Sequence, residues 1–365
     1  MKRIIKYISH IASALLRTKA QPAVPAAFAL ALSLLAAGSL SVACNKEPAP
    51  TPQDGKYAIA FDEVGVDTKA AITATDGISE FKVWGAVKEN SDDADYANIF
   101  TGSIVEYKMD SEGNFGWIYE GEQYWKEDSK YRFFAVSPTS YDIEYDESTL
   151  TYNVDYTVPG QFNVPDAQFN DIVVAGKTVE TLTTLERDPG KVDMLFKHPI
   201  TKVNLHIAKS NENSDDKMVV TDVSLAGMRN SGTYKYYLET GLTEWTFGTS
   251  TSSLIYEGED YEVNVDEYIG ENDDDEGWLK LQFYALPQYI SDNTVRLQIS
   301  YTYTESTGTE TDTKSYSVYL PQTDVWKENN IVTYKVELSA DHKIRFYIYQ
   351  VDTWGLMPSG TVIIQ

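Results

Sequence analysis

Apolar and polar residues alternate along this chain in many short runs. Val203, Leu205 and Ile207 lie on one side of such a run, and Lys202 and Asn204 lie on the other. The same period recurs in residues 81–87, 279–285, 295–301 and 332–338. A period of two is that of a strand with one buried face, and no stretch keeps the 3.6-residue period of an amphipathic helix. The sequence therefore predicts an all-β protein with few and short helices.

The runs are separated by segments rich in Gly, Pro, Asn and Asp, which suit hairpins and crossovers. At 365 residues the chain is long enough for two domains that each bury a core. A turn signal, Arg187-Asp188-Pro189-Gly190, lies between two strand-rich halves. We therefore predict two β-sandwiches, over residues 56–190 and 191–365.

Charge and cysteine content exclude some classes of protein. The formal net charge is −25, so polyanions such as nucleic acid are repelled, and the acidic surface is interpreted as a solubility feature. Cys44 is the only cysteine, so an intramolecular disulfide is impossible and stability must come from packing.

The start of the chain has the pattern of an export signal. A basic head that includes Lys2 and Arg3 is followed by an apolar segment, residues 23–37, and then by small residues up to Ala43. This pattern predicts a secretory signal peptide over residues 1–43. Residues 40–44, Leu-Ser-Val-Ala-Cys, resemble a bacterial lipobox, although Ser41 stands where leucine is usual. The lipobox implies that Cys44 is acylated; the alternative is an ordinary signal peptide with an incidental cysteine.

Residues 44–55 follow the cysteine with alternate prolines at Pro48, Pro50 and Pro52. Such a segment stays extended and forms a tether between lipid and domain. Its first residues, Cys-Asn-Lys-Glu, resemble the surface-export signal of Bacteroidetes lipoproteins. The resemblance implies attachment to outer-membrane lipid through Cys44, followed by display at the cell surface.

The sequence contains no recognisable catalytic or cofactor motif. His198, His206 and His342 have no second histidine at ligand spacing, and there is no nucleophile elbow, phosphate loop or dinucleotide fingerprint. The acidic run of residues 272–277 matches the start of an EF-hand loop, but its twelfth position is Phe283 instead of a glutamate. We interpret the run as a solvated hairpin loop, with loose divalent binding as the alternative. We therefore predict no cofactor, no metal site and no enzymatic activity.

Several motifs resemble those of the fimbrillin family, the subunits of Bacteroidetes type V pili. They are FKVWG at 81–85, YW at 124–125, YRFFA at 131–135, DIVVA at 171–175, FKHPITKV at 196–203 and WKENN at 326–330, together with the lipobox. The resemblance covers essentially the whole chain. It implies two transthyretin-like β-sandwich domains and no catalytic residues.

The resemblance also implies how such subunits assemble. A maturation protease with trypsin-like specificity cuts after a basic residue beyond the first strand, and the strand within residues 56–69 is lost. The groove left behind is filled by the C-terminal strand of another fimbrial subunit. Lys69 matches the cleavage position, although arginine is more usual there; the alternative is an ordinary loop lysine. Residues 353–365, with Val362, Ile363 and Ile364, match the donor strand, or else close their own domain in cis.

Together these observations favour an exported, lipidated structural subunit of a surface fimbria, which polymerises by strand exchange. One alternative is a related subunit that keeps its lipid and remains at the membrane as an anchor. A second is a glycan-binding surface lipoprotein that uses exposed aromatic side chains. An acidic glycosidase is a third, disfavoured by the missing motifs.

Overall fold

The computed structural model describes residues 56–66, 78–91, 94–163, 172–181, 189–210, 215–264, 277–308, 311–339 and 344–353. These residues form twenty strands and no α-helix, so the all-β prediction is confirmed. In the first part of the chain the strands are β1 (Phe61–Val66), β2 (Glu80–Glu89), β3 (Ala97–Met109), β4 (Phe115–Tyr119), β5 (Ser129–Ser137), β6 (Glu144–Asp146), β7 (Thr151–Thr157), β8 (Val173–Glu180) and β9 (Val192–Phe196). The remaining strands are β10 (Thr201–Lys209), β11 (Lys217–Arg229), β12 (Ser231–Tyr237), β13 (Thr243–Phe247), β14 (Thr251–Ile255), β15 (Tyr261–Glu262), β16 (Leu279–Ala285), β17 (Arg296–Thr304), β18 (Thr311–Tyr319), β19 (Asn330–Leu338) and β20 (Ile344–Thr353).

Seven strands form one sheet in the order β8-β5-β2-β3-β4-β1-β9. Its two ends meet at a bridge between Val174 and Lys197, whose backbone N–H groups each donate to the other residue's carbonyl at 2.9 Å. The sheet is thus closed on itself. Its interior is filled by alternate side chains of the strands, many of them aromatic, such as Phe81, Phe100 and Phe133.

A second sheet, β13-β12-β7-β6, packs on the outside of this closed sheet. Phe134 lies on the outward face of β5 and stacks on Tyr152, Tyr234 and Tyr236, with ring centroids 5.3–6.5 Å apart. β5 is therefore buried on both faces. Burial on both faces explains why the apolar residues of β5 are consecutive from Phe133 to Val136. A strand with one solvent-exposed face instead alternates apolar and polar residues.

The third core lies between the sheets β16-β10-β19-β20 and β14-β11-β17-β18, with β15 paired to β11. The alternating residues Val203, Leu205 and Ile207 are fully buried in it, as their period predicts. Trp326 is also buried there, and its indole N–H donates to the Tyr334 hydroxyl at 2.9 Å.

Strand pairing crosses the predicted division at residues 190 and 191 in two places. β9 belongs to the closed sheet, and the β12–β13 hairpin pairs with β7 over Ser231↔Thr157 to Tyr237↔Thr151. The division into two domains stays a prediction. The alternation of apolar residues stops at Phe61, but β1 continues to Val66 because β9 supplies a parallel partner for it.

Candidate functional site

The first strand lies within the closed sheet, between β4 and β9. It runs parallel to β9, with Phe61 opposite Val192 and Val66 opposite Phe196, and the register shifts between Asp62 and Gly65. It is antiparallel to β4. If β1 were removed, the closed sheet would be left with a gap between β4 and β9, and we call this gap the first-strand groove.

Backbone hydrogen bonds hold the residues that lead into β1. The Ile59 N–H donates to the Gln123 carbonyl at 2.8 Å, and the Trp125 N–H donates to the Tyr57 carbonyl at 2.9 Å. On the other side, the Val192 N–H donates to the Ala60 carbonyl at 2.7 Å. Residues 57–60 are therefore bonded on one side to the segment that follows β4 and on the other side to β9.

Two apolar side chains fill the groove. Ile59 and Phe61 are only 1% and 2% exposed. The Phe61 ring lies 5.6–6.1 Å, centroid to centroid, from four other rings, those of Phe81, Phe100, Tyr119 and Phe133. Loss of β1 would expose this aromatic lining to water together with the unpaired strand edges on either side, which is an aggregation hazard until another strand fills the groove.

Polar contacts at the groove are few. The Tyr119 hydroxyl donates to the Ile59 carbonyl at 2.7 Å, and burial raises the pKa of Tyr119, so the donor keeps its proton. Lys191 Nζ lies 3.3 Å from Asp62 Oδ2, but both side chains are well exposed, and such a pair contributes little. The groove is thus an apolar slot with strand edges for walls, suited to a β-strand.

The described residues show no arrangement suited to catalysis. None of their His, Cys, Asp and Glu side chains form a group of three or more that could hold a metal ion. The pKa of Tyr152, Tyr234 and Tyr334 is raised by burial, away from neutral pH. Lys335 has its pKa lowered by burial, and its Nζ lies 4.7 Å from the centre of the Trp278 ring, a packing contact between β19 and the residue just before β16.

The residues predicted as sites lie outside the described part of the chain. These are Cys44, Lys69, Val362, Ile363 and Ile364; His342 and residues 272–276, which were not predicted to be sites, also lie outside it. The structure describes their neighbours: β1 ends at Val66, three residues before Lys69, and β20 ends at Thr353, where the predicted donor segment begins. No helix among the described residues is long and apolar enough to cross a membrane.

Sequence reasoning missed the walls of the groove. The alternation of Val192, Met194 and Phe196 was visible, but nothing in it shows that the partner is β1, more than a hundred residues earlier. Gln123 and Trp125, which bond the residues before β1, lie outside any regular strand.

A comparison with models of protein families identifies the family of this chain. The model of the fimbrillin-like family matches residues 68–354. The chain belongs to the fimbrillin-like family. This membership confirms the resemblance read from the motifs, and it places the chain among structural proteins of fimbriae at the cell surface and not among enzymes.

The chain is similar to solved structures of proteins from Bacteroides and Parabacteroides species. One, described as a "putative cell adhesion protein" from Bacteroides uniformis, is 19% identical with a TM-score of 0.45, over 82% of this chain and 100% of that one. A protein of the same description from Parabacteroides distasonis is 13% identical with a TM-score of 0.48, over 84% and 99%. A fimbrial assembly protein from the same species is 15% identical with a TM-score of 0.36, over 82% and 98%. No curated protein matches the chain.

Proposed function

We propose that this fimbrillin-like protein is exported as a lipoprotein, is lipid-anchored to the outer membrane through Cys44, and polymerises at the cell surface by strand exchange. A maturation protease cuts after Lys69, β1 leaves the closed sheet, and the C-terminal segment of another subunit takes its place. The transthyretin-like, two-sandwich description belongs to the same proposal.

The observation that carries the proposal is the position of β1. It is the first described strand, yet it lies inside the closed sheet instead of at an edge, and Phe61 fills the middle of the aromatic core. A cut after Lys69 would separate β1 from β2, because Lys69 lies between Val66 and Glu80. The chain outside β1 would keep both walls of the groove.

The test compares two lysines on either side of β1. In the producing bacterium, Lys69→Ala should abolish the SDS-resistant ladder of surface-extracted polymer, and the wild-type polymer should begin at Ala70 by N-terminal sequencing. Lys56→Ala is the matched control, because Lys56 is exposed and precedes β1, so its loss should leave the ladder intact.

A full ladder from Lys69→Ala would show that cleavage at this lysine does not trigger assembly. Acylated Cys44 in the extracted material, detected by mass spectrometry of the N-terminal peptide, would instead identify an anchor subunit that keeps its lipid.

A further inference from the structure

The end of the β3–β4 hairpin carries an exposed aromatic patch, formed by Tyr107, Phe115 and Trp117. Phe115 is 59% exposed and Tyr107 is 37% exposed. Their rings are stacked, with centroids 6.0 Å apart, and the Tyr107 and Trp117 centroids are 5.3 Å apart. Clustered aromatic side chains in water are costly, and such a cluster commonly marks a surface that binds something.

The aromatic patch is continuous with the lining of the first-strand groove. The Trp117 ring lies 5.3 Å from the ring of Phe81, which is fully buried and in turn lies 5.6 Å from Phe61. A single row of rings therefore runs from exposed Phe115 to the core of the closed sheet. The patch and the groove are parts of one surface.

β1 covers the groove but not the patch. In the described residues β1 pairs with β4 at one position, Phe61↔Trp117. Beyond Phe61, β1 follows β9 through an irregular register up to Val66. Suppose that a strand remained paired with β4 in the antiparallel direction. The residue two positions after the one opposite Trp117 would then lie opposite Phe115. In β1 that residue is Glu63, and a carboxylate is a poor partner for a row of aromatic rings.

We propose that the aromatic patch is a docking subsite for the incoming strand, supplied by residues 354–365 of a second copy of this chain. The proposal rests on the strand exchange proposed above. This segment carries no charged residue, and it contains the β-branched run Val362, Ile363 and Ile364. A strand of this composition pairs with β4 as far as Phe115 and buries an aliphatic side chain against the patch.

The patch thereby distinguishes the incoming strand from β1. The incoming strand pairs with β4 beyond the single position Phe61↔Trp117 of β1, and it places an aliphatic residue at the position that is Glu63 in the sequence of β1. These additional contacts favour exchange over return of β1, and they are available before β1 has fully left because the patch is already exposed.

The test measures how fast the full chain polymerises after trypsin cleavage, with the new N-terminus at Ala70 checked by sequencing. Phe115→Ser should slow the growth of the SDS-resistant ladder about tenfold, the size expected for losing one buried apolar contact of about 1.4 kcal/mol. Leu195→Ser is the matched control: Leu195 is 57% exposed on the other wall strand, β9, but faces away from the core, so the rate should stay within about twofold.

A second variant, Tyr107→Ser, should slow growth in the same way, and the unfolding midpoints of all three variants should match the wild type. If the wild type polymerises and Phe115→Ser polymerises at the same rate as Leu195→Ser, the docking subsite is disproved but strand exchange is not. If the cleaved wild type does not polymerise, strand exchange itself fails, and the docking subsite fails with it.

Discussion

Phe61 is the residue on which the closed sheet depends most. Its ring contacts four aromatic rings from four different strands, so its truncation would leave a cavity that these rings cannot easily fill. We expect Phe61→Ala to lower the free energy of unfolding of the full chain by about 3–5 kcal/mol, measured by urea denaturation. A chain that has lost the whole of β1 loses this contribution of Phe61 and also the backbone pairing of β1 with β4 and β9.

The control for this measurement is Leu242→Ala. Leu242 is 66% exposed, and its loss should change the free energy of unfolding by no more than about 0.5 kcal/mol. Equal effects of the two substitutions would mean that Phe61 does not fill the core in solution, and that β1 is not docked in the groove.

At the scale of elements, the contact between β8 and β12 joins the two halves of the chain. Gly176 of β8 lies under the Tyr236 ring of β12, and a Cβ added at Gly176 would approach that ring to 2.6 Å. Because this layer is tightly packed, we expect Gly176→Ala to destabilise the protein by about 1–3 kcal/mol. Thermal unfolding followed by circular dichroism will measure the change.

Gly116 of β4 is the matched control, since it is also a strand glycine but has nothing within 4 Å of an added Cβ. Gly116→Ala should be neutral or slightly stabilising, because alanine restricts the unfolded chain. If Gly176→Ala and Gly116→Ala unfold at the same temperature, β12 does not pack closely on β8.

Individual strands were predictable from the sequence, whereas their partners were not. The period of two located β10, β16, β17 and β19, because alternate apolar residues of each strand are buried in one core. The parallel pairs β1–β9 and β10–β19 join segments separated by more than a hundred residues, and a hydrophobic period carries no information on such partners. The edge strand β18, with its Ser- and Thr-rich outer side, was missed for a related reason: its inward residues are only half-buried.

The candidate site was predictable only in part, and for a physical reason. Tyr57, Ile59 and Phe61 alternate with alanines, a pattern typical of a strand with one apolar face, and the structure buries Ile59 and Phe61. The aromatic lining of the groove is assembled from β2, β3, β4 and β5, so no local pattern identifies it.

At the scale of the whole molecule, two of the family motifs meet between the closed sheet and the sheet that contains β10 and β19. Lys197 of the FKHPITKV motif lies 2.6 Å from Glu328 of the WKENN motif, and the Asn329 N–H donates to the carbonyls of His198 at 2.9 Å and Ile200 at 3.1 Å. Lys197 also closes the first sheet through its backbone. The residues of these two motifs therefore bond to each other.

Buried tyrosines make the whole molecule sensitive to alkali. Burial raises the pKa of Tyr152, Tyr234 and Tyr334 in the folded chain, whereas in the unfolded chain tyrosine titrates near pH 10. The stability linked to these groups is fully present below about pH 10. It is lost as the pH rises further, because only the unfolded chain releases their protons.

We therefore expect absorbance at 295 nm to rise in two stages on alkaline titration. Exposed tyrosines ionise first, and a second group ionises only together with the loss of the β-sheet signal in circular dichroism. A smooth titration of all 26 tyrosines with an unchanged circular dichroism spectrum would contradict the burial described here.

The pairing of the β12–β13 hairpin with β7 determines the order in which parts of the chain can fold. β7 ends at Thr157 and its partner β12 ends only at Tyr237, so this pairing cannot form until that later part of the chain is also available to fold. Until then the outward ring of Phe134 has no cover from Tyr234 and Tyr236. The first half therefore finishes folding only after part of the second half has been made, so a chain stopped near residue 190 would aggregate instead of folding.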